Sequence, residues 1–391
     1  MSNLILARLK HPYGGSGALF GAALSLSLPA THQQRTVSPK TRLSFIDCSR
    51  GILIFLMSSA HALTMANVGP HSFLDSSWWV PRGSFEGFIA LSGFTIAVVF
   101  SWDEGKGETQ RRLLRRAWQI FVVMLVSNVV LLISKYILNN ELHKMKSPAW
   151  WIGLVTLRTE YSISGVLLPT VVLLLFAPIL FRASQRWRLS HLIIAAYLFA
   201  LFTRCIPEAF PKAISAHRLT DILFGHGLSG FPVLVFFTSG MLGFVLGLLW
   251  KRSYTRLTVL SASAVVLAFF SLKMVASNTF TPAAMSLVHE STVLSRFLLV
   301  LVIGAILTKS VLPSKGFDFF SLVGKYTLFS FLTHRLVMQT LAVFGRHYLN
   351  SASAELLYVV YLLGTFALIA MMCAAREHFA PLDSFLKRVY L

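Results

Sequence analysis

Asp47, Arg50 and His61 fall inside one short stretch, IDCSRGILIFLMSSAH (Ile46 to His61), that is otherwise largely apolar. An imidazole exchanges protons near neutral pH, and a guanidinium holds oxyanions with a planar fork of donors. In a helix, the eleven residues from Arg50 to His61 turn through about 1100°, three full turns and about 20° more, so both side chains leave one face. They then lie roughly 16 Å apart along the axis. Asp47, one turn before Arg50, is placed to pair with it and hold the guanidinium still. A plainer reading stands beside this one, with Asp47 and Arg50 as a helix-end ion pair and His61 as an interhelix hydrogen-bonder.

Three further stretches carry residues of the same kind. RGSFEGFIALSGFTIAVVF (Arg82 to Phe100) holds Glu86 near its start and Ser92-Gly93 further in, where small residues let helices approach closely. If this segment runs antiparallel to the first, Glu86 and His61 lie at similar depth. A carboxylate there orients the imidazole, fixes its tautomer and raises its basicity, as a general base acting on a hydroxyl requires. The alternative is an interfacial Glu86 exposed to water. In RRLLRRAWQI (Arg111 to Ile120), Arg112 and Arg115 stand one turn apart, as do Arg111 and Arg115, so two or three guanidiniums can clamp phosphates. The same arginines read equally as anchors of a helix end. GKYTLFSFLTHRLV (Gly324 to Val337) puts His334 and Arg335 inside an apolar run, as buried packing residues or as substrate contacts.

The elements that must position these residues follow from composition. Of 391 residues, 55% are hydrophobic and 13% charged, with mean hydropathy +0.68, the profile of a polytopic membrane protein. Ionisable groups at membrane depth are costly and mark function by default, and those singled out here are Asp47, Arg50, His61, Glu86, Arg296, Lys325, His334 and Arg335. Apolar runs read as membrane spans fall at 46–66, 84–101, 117–138, 163–181, 190–204, 229–250, 257–276, 291–309, 319–345 and 354–375, with 190–204 and the glycine-rich 229–250 reading as short or interrupted. The expected fold is therefore all-α, with about ten transmembrane helices.

Charge sets the orientation. With the N-terminus inside, the inner segments carry 21 Lys and Arg and the outer loops 9, so both termini are expected in the cytoplasm. Membrane topology accounts for the net charge of +20 better than nucleic-acid binding does. Trp78-Trp79 and Trp150-Trp151 fall at outer helix ends, where indoles favour the interface. Cys48, Cys205 and Cys373 have neither zinc-site spacing nor the even count of a disulfide framework, and no metal is expected. The expected division is a poorly ordered cytoplasmic tail over 1–41, a ten-helix domain over 42–376 and a short cytoplasmic tail over 377–391. Ala18 to Ala30 is too short to span and could imitate a signal segment, but an inside start favours a retained tail.

Taken together, these motifs resemble the acyltransferase-3 superfamily of integral membrane acyltransferases, marked by an Arg, ten residues, and a His on the first helix. Arg50 and His61 match that spacing, FIALSGF is similar to the second-helix motif, RRLLR to an Arg-x-x-Arg motif, and YTLFSFLTH to a late helix ending in His. FEGFIALSG and GVLLPTVVLLLFAPI (Gly165 to Ile179) resemble the OpgC-like branch, the succinyltransferases of periplasmic glucans. The longer N-terminal tail and the less acidic approach to Glu86 depart from that branch. The resemblance implies a bacterial inner-membrane O-acyltransferase with acyl-CoA, succinyl or acetyl, as cytoplasmic donor and an extracytoplasmic glycan hydroxyl as acceptor, with no permanently bound cofactor. It assigns His61 and Glu86 to catalysis, Asp47, Arg50 and His334 to substrate contact, and Arg111, Arg112 and Arg115 to the CoA phosphates.

Two other classes compete. A proton-coupled transporter or flippase of a glycan or its lipid-linked precursor would use His61, Glu86 and His334 as a relay, but the sequence shows no internal repeat of the kind many transporters carry. A structural scaffold would give the buried ionisable residues no task.

Overall fold

Long apolar runs close all their backbone hydrogen bonds locally as helices, and every regular element among the described residues is one. The structure, a computed structural model, describes residues 43–68, 84–100, 106–138, 164–210, 218–224, 232–251, 297–304, 318–349 and 352–379, with a few isolated positions besides. The labelled helices are α1 (Ser44–Met65), α2 (Ser84–Val99), α3 (Lys106–Leu138), α4 (Ser164–Arg186), α5 (Leu189–Ala209), α6 (Arg218–Phe224), α7 (Val233–Lys251), α8 (Asp318–Lys325), α9 (Thr327–Tyr348) and α10 (Ala354–His378). A helical piece over 297–304 lies between α7 and α8. Among the described residues, seven helices are long and apolar enough to cross a membrane, and α2 is a shorter apolar one. The chain is an all-helical, multi-pass membrane protein. The expected span 257–276, Arg296, the tail 1–41 and most of 377–391 lie outside the described residues.

Three expected spans differ in extent. α3 begins at Lys106 rather than near 117. Leu113, Ala117, Ile120 and Met124 are all buried and recur at helical spacing, so the apolar stripe carries the helix back through its basic first turns. At 33 residues it is about 50 Å long, well beyond the roughly 30 Å of a bilayer core, so the arginine-rich end projects past it. The glycine-rich 229–250 run is an unbroken helix from Val233.

The run 319–345, read as one span, is two helices. The chain breaks at Tyr326 (φ −105°, ψ 41°). Hydroxyls take over the carbonyls stranded there: Ser330 Oγ donates to the Val323 oxygen at 2.9 Å, and Thr327 Oγ1 donates to the Gly324 oxygen. The break lets α8 lie on α1 with their backbones in contact. A Cβ on Gly51 would overlap the Phe320 carbonyl, and one on Gly324 the Asp47 carbonyl.

α2 is held in the same manner. A Cβ on Gly93 would overlap the carbonyl of Gly240 in α7, and one on Gly243 the carbonyl of Ala90 in α2. Ala90 against Gly243 and Phe94 against Gly247 advance together, so α2 and α7 run parallel. Small residues provide such close approach where lipid removes the hydrophobic drive between helices. α1 in turn packs on α2, α8, α9 and α10, which puts the Arg50–His61 stripe inside the bundle.

Candidate active site

The stripe on α1 begins at Arg50. Its Nη1 donates to Asp47 Oδ1 at 3.2 Å, forming the expected pair, and its Nη2 donates to Thr95 Oγ1 of α2, also at 3.2 Å. Thr95 Oγ1 in turn donates to the Leu91 carbonyl oxygen at 2.7 Å, which leaves its lone pairs turned to the guanidinium. Two anchors on two helices fix the fork in one orientation.

His61 lies at the other end of the stripe. Its ring packs 5.6 Å from that of Phe85 in α2 and 5.5 Å from that of His334 in α9, the two imidazole planes inclined by only 17°. Going from Arg50 to His61 along α1 means going from Thr95 back to Phe85 along α2. The helices are therefore antiparallel, and Arg50 and His61 both face α2, as the helical spacing requires. His334 is 1% exposed and sits behind Phe331, which stacks on Phe88 at 5.3 Å. An apolar wall of phenylalanines thus surrounds two imidazoles.

Glu86 takes a different partner from the one expected. It is buried and forms an ion pair with Arg204 of α5, Oε1 to Nη2 at 3.8 Å. Phe85 occupies the place against the His61 ring, and one residue along a helix turns the next side chain by about 100°, carrying Glu86 toward α5. The carboxylate and the imidazole are neighbours in depth without forming the expected pair.

The arginines of α3 stand at the end of the bundle where α1 begins, because α2 ends there and α3 starts a few residues later. Arg111, Arg112 and Arg115 are exposed. Arg112 pairs with Glu108, one turn before it. Arg111 and Arg115 make no hydrogen bond or ion pair among the described residues, so they are open to an external anion. They share an end with Arg50 but not a surface, for α3 packs on α4 and α9. At that same end an open cleft of about 570 Å³ is bounded by Ser44 and Asp47 of α1, by α8 from Asp318 to Lys325, and by Glu377 of α10. Lys325 and Glu377 pair across its rim.

Sequence reasoning missed Thr95, Arg204 and Phe85. The antiparallel register of α1 and α2 would have found Thr95, since it stands about as far before the end of α2 as Arg50 stands after the start of α1. Arg204 offered no local signal.

The acyltransferase-3 family model, described as an acyltransferase domain, matches residues 43–374. The chain belongs to this family. It is accordingly an acyltransferase acting on hydroxyl groups, an O-acyltransferase of the membrane. The match starts at the residue before α1 and ends near the close of α10, so it takes in the Arg50–His61 stripe, both α3 arginine turns and His334. No curated protein and no solved structure matches the chain.

Proposed function

We propose that this acyltransferase moves a succinyl or acetyl group from cytoplasmic acyl-CoA to a hydroxyl of an extracytoplasmic glycan, such as a periplasmic glucan, in a bacterial inner membrane. The observation that carries the reading is the common facing of Arg50 and His61 toward α2. In this reading both chain termini are cytoplasmic, so the Asp47–Arg50 end is the inner mouth and the His61–His334 end lies deeper toward the outer face. The exposed Arg111, Arg112 and Arg115 hold the phosphates of CoA, and Asp47 and Arg50 guide the pantetheine arm. That arm is about as long as the roughly 16 Å between Arg50 and His61, so the thioester arrives at the imidazole. His61 takes the proton of the acceptor hydroxyl, whose oxygen attacks the thioester carbonyl; an O-ester and free CoA result. Glu86, held by Arg204, belongs to the acceptor side of this site.

The test is transfer of radiolabelled acyl groups from acetyl-CoA or succinyl-CoA to a glucan by the purified protein in lipid. His61→Ala is expected to lose at least about 10²-fold in rate, the usual contribution of a positioned base. Equal labelling by the two proteins would remove His61 from the mechanism.

A further inference from the structure

His334 is almost fully buried, and no hydrogen bond of good geometry closes on either ring nitrogen among the described residues, although the Ser330 and Phe331 carbonyls of its own helix lie nearby. Ser58 Oγ, wholly buried one turn before His61, likewise has no hydrogen-bond partner among the described residues. Ser58 also stands one turn before Ala62, which shares one apolar cluster with Met338 and Ala342 of α9 and Tyr358 of α10, and α1 packs on α9. The flank of α1 that carries Ser58 therefore borders α9, the helix of His334. Buried polar atoms in native interiors are nearly always satisfied, and those that are not call for an explanation. Single unpartnered hydroxyls occur elsewhere, at Ser239 and Thr365, but here a buried imidazole lies against the ring of the base.

We propose that His334 and Ser58 are the donors that hold the oxyanion of the tetrahedral intermediate, an assignment that rests on the reading of His61 as base. The two rings are nearly parallel and 5.5 Å apart, close enough to act on one bound carbonyl. That spacing lets one ring reach the attacking oxygen while the other reaches the carbonyl oxygen on the same carbon. A neutral imidazole has one N–H to give, and a serine hydroxyl has another. As the acceptor oxygen bonds to the thioester carbon, its proton passes to His61, and the carbonyl π pair moves onto the oxygen, which receives the His334 N–H and the Ser58 O–H. Collapse restores the C=O and breaks the C–S bond. The thiolate leaves and recovers the proton from His61, so the products are ester and CoA thiol. In a site walled by Phe85, Phe88 and Phe331, donors fixed in advance act with little competition from water.

Two measurements on the full chain in lipid test this. In steady-state transfer, His334→Leu is expected to lower kcat by about 10²- to 10³-fold, and Ser58→Ala by a smaller factor, with KM for acyl-CoA nearly unchanged. His334→Gln, which keeps an N–H donor, retains more activity than His334→Leu. In infrared difference spectra with carbonyl-¹³C acyl-CoA, acetyl or succinyl, bound to the inactive His61→Ala protein, the thioester stretch lies below its position in free acyl-CoA. Adding His334→Leu or Ser58→Ala returns it toward the free value. A stretch already at the free value in His61→Ala, or one unmoved by both substitutions, overturns the assignment, as does a loss confined to KM. If His334→Leu fails to fold, Ser58→Ala, which removes one atom, gives the same comparison. Equal transfer by wild type and His61→Ala with the carbonyl shift intact would reject His61 as base and leave the oxyanion pair standing.

Discussion

Arg50 shows how a single residue is read twice, once from its neighbours in sequence and once from its neighbours in space. The spacing to Asp47 announces the ion pair; the bond to Thr95 comes only from the helix opposite. A lysine keeps the charge but cannot direct separate donors to Asp47 and Thr95 at once. Arg50→Lys is therefore expected to lower transfer by about tenfold or more with little change in thermal stability, since a lysine keeps a positive charge beside the buried Asp47. Wild-type turnover in Arg50→Lys would reduce the guanidinium to a generic cation. Glu86 makes the complementary case. Its type and depth were legible, its partner was not, because a rotation of one residue separates a helix face toward His61 from one toward Arg204.

At the scale of elements, glycines decide where α1 and α2 sit, and through them where the stripe points. Gly51 and Gly324 bring α8 onto α1 beside Asp47, while Gly93 and Gly243 bring α7 onto α2. Gly107, in the first turn of α3, has open space around it. Gly243→Leu is expected to force α7 off Ala90, costing roughly 1–3 kcal/mol or more as an overpacked core does, and to displace Phe85 and Thr95 with α2. Gly107→Ala is the matched control and leaves both stability and transfer unchanged. A thermal-unfolding comparison in detergent checks this; an unshifted midpoint for Gly243→Leu would mean that the two helices have room to part. The sequence showed that 229–250 was glycine-rich and suggested interruption. In the fold those glycines are contact points of a continuous helix.

For the molecule as a whole, the proposed reaction needs one end that holds an anionic carrier and another that does proton chemistry. Arg111, Arg112 and Arg115 are exposed at the end where Arg50 lies, whereas His61 and His334 are at the far end of the stripe. Arg112→Ala combined with Arg115→Ala is expected to weaken acyl-CoA binding by about 10- to 100-fold, a total of about 1.4–2.8 kcal/mol for two exposed guanidiniums. The fold is left intact, because the Arg112–Glu108 pair is solvent-exposed. Calorimetry showing unchanged CoA affinity would reject the phosphate role. What the sequence determined alone was local: which stretches are helices, that they belong in lipid, that Arg50 and His61 share a face, and the motifs of the family. Each follows from composition or from the 100° step of one helix, and needs no knowledge of its neighbours. Tertiary structure alone decided that His334 stacks on His61, that Glu86 pairs with Arg204, that Thr95 receives Arg50, and that the ninth expected span breaks at Tyr326. Those depend on which helices are adjacent and how each is turned about its own axis. Close contacts between residues far apart in the chain, several of them at glycines, settle both, and no local period encodes them.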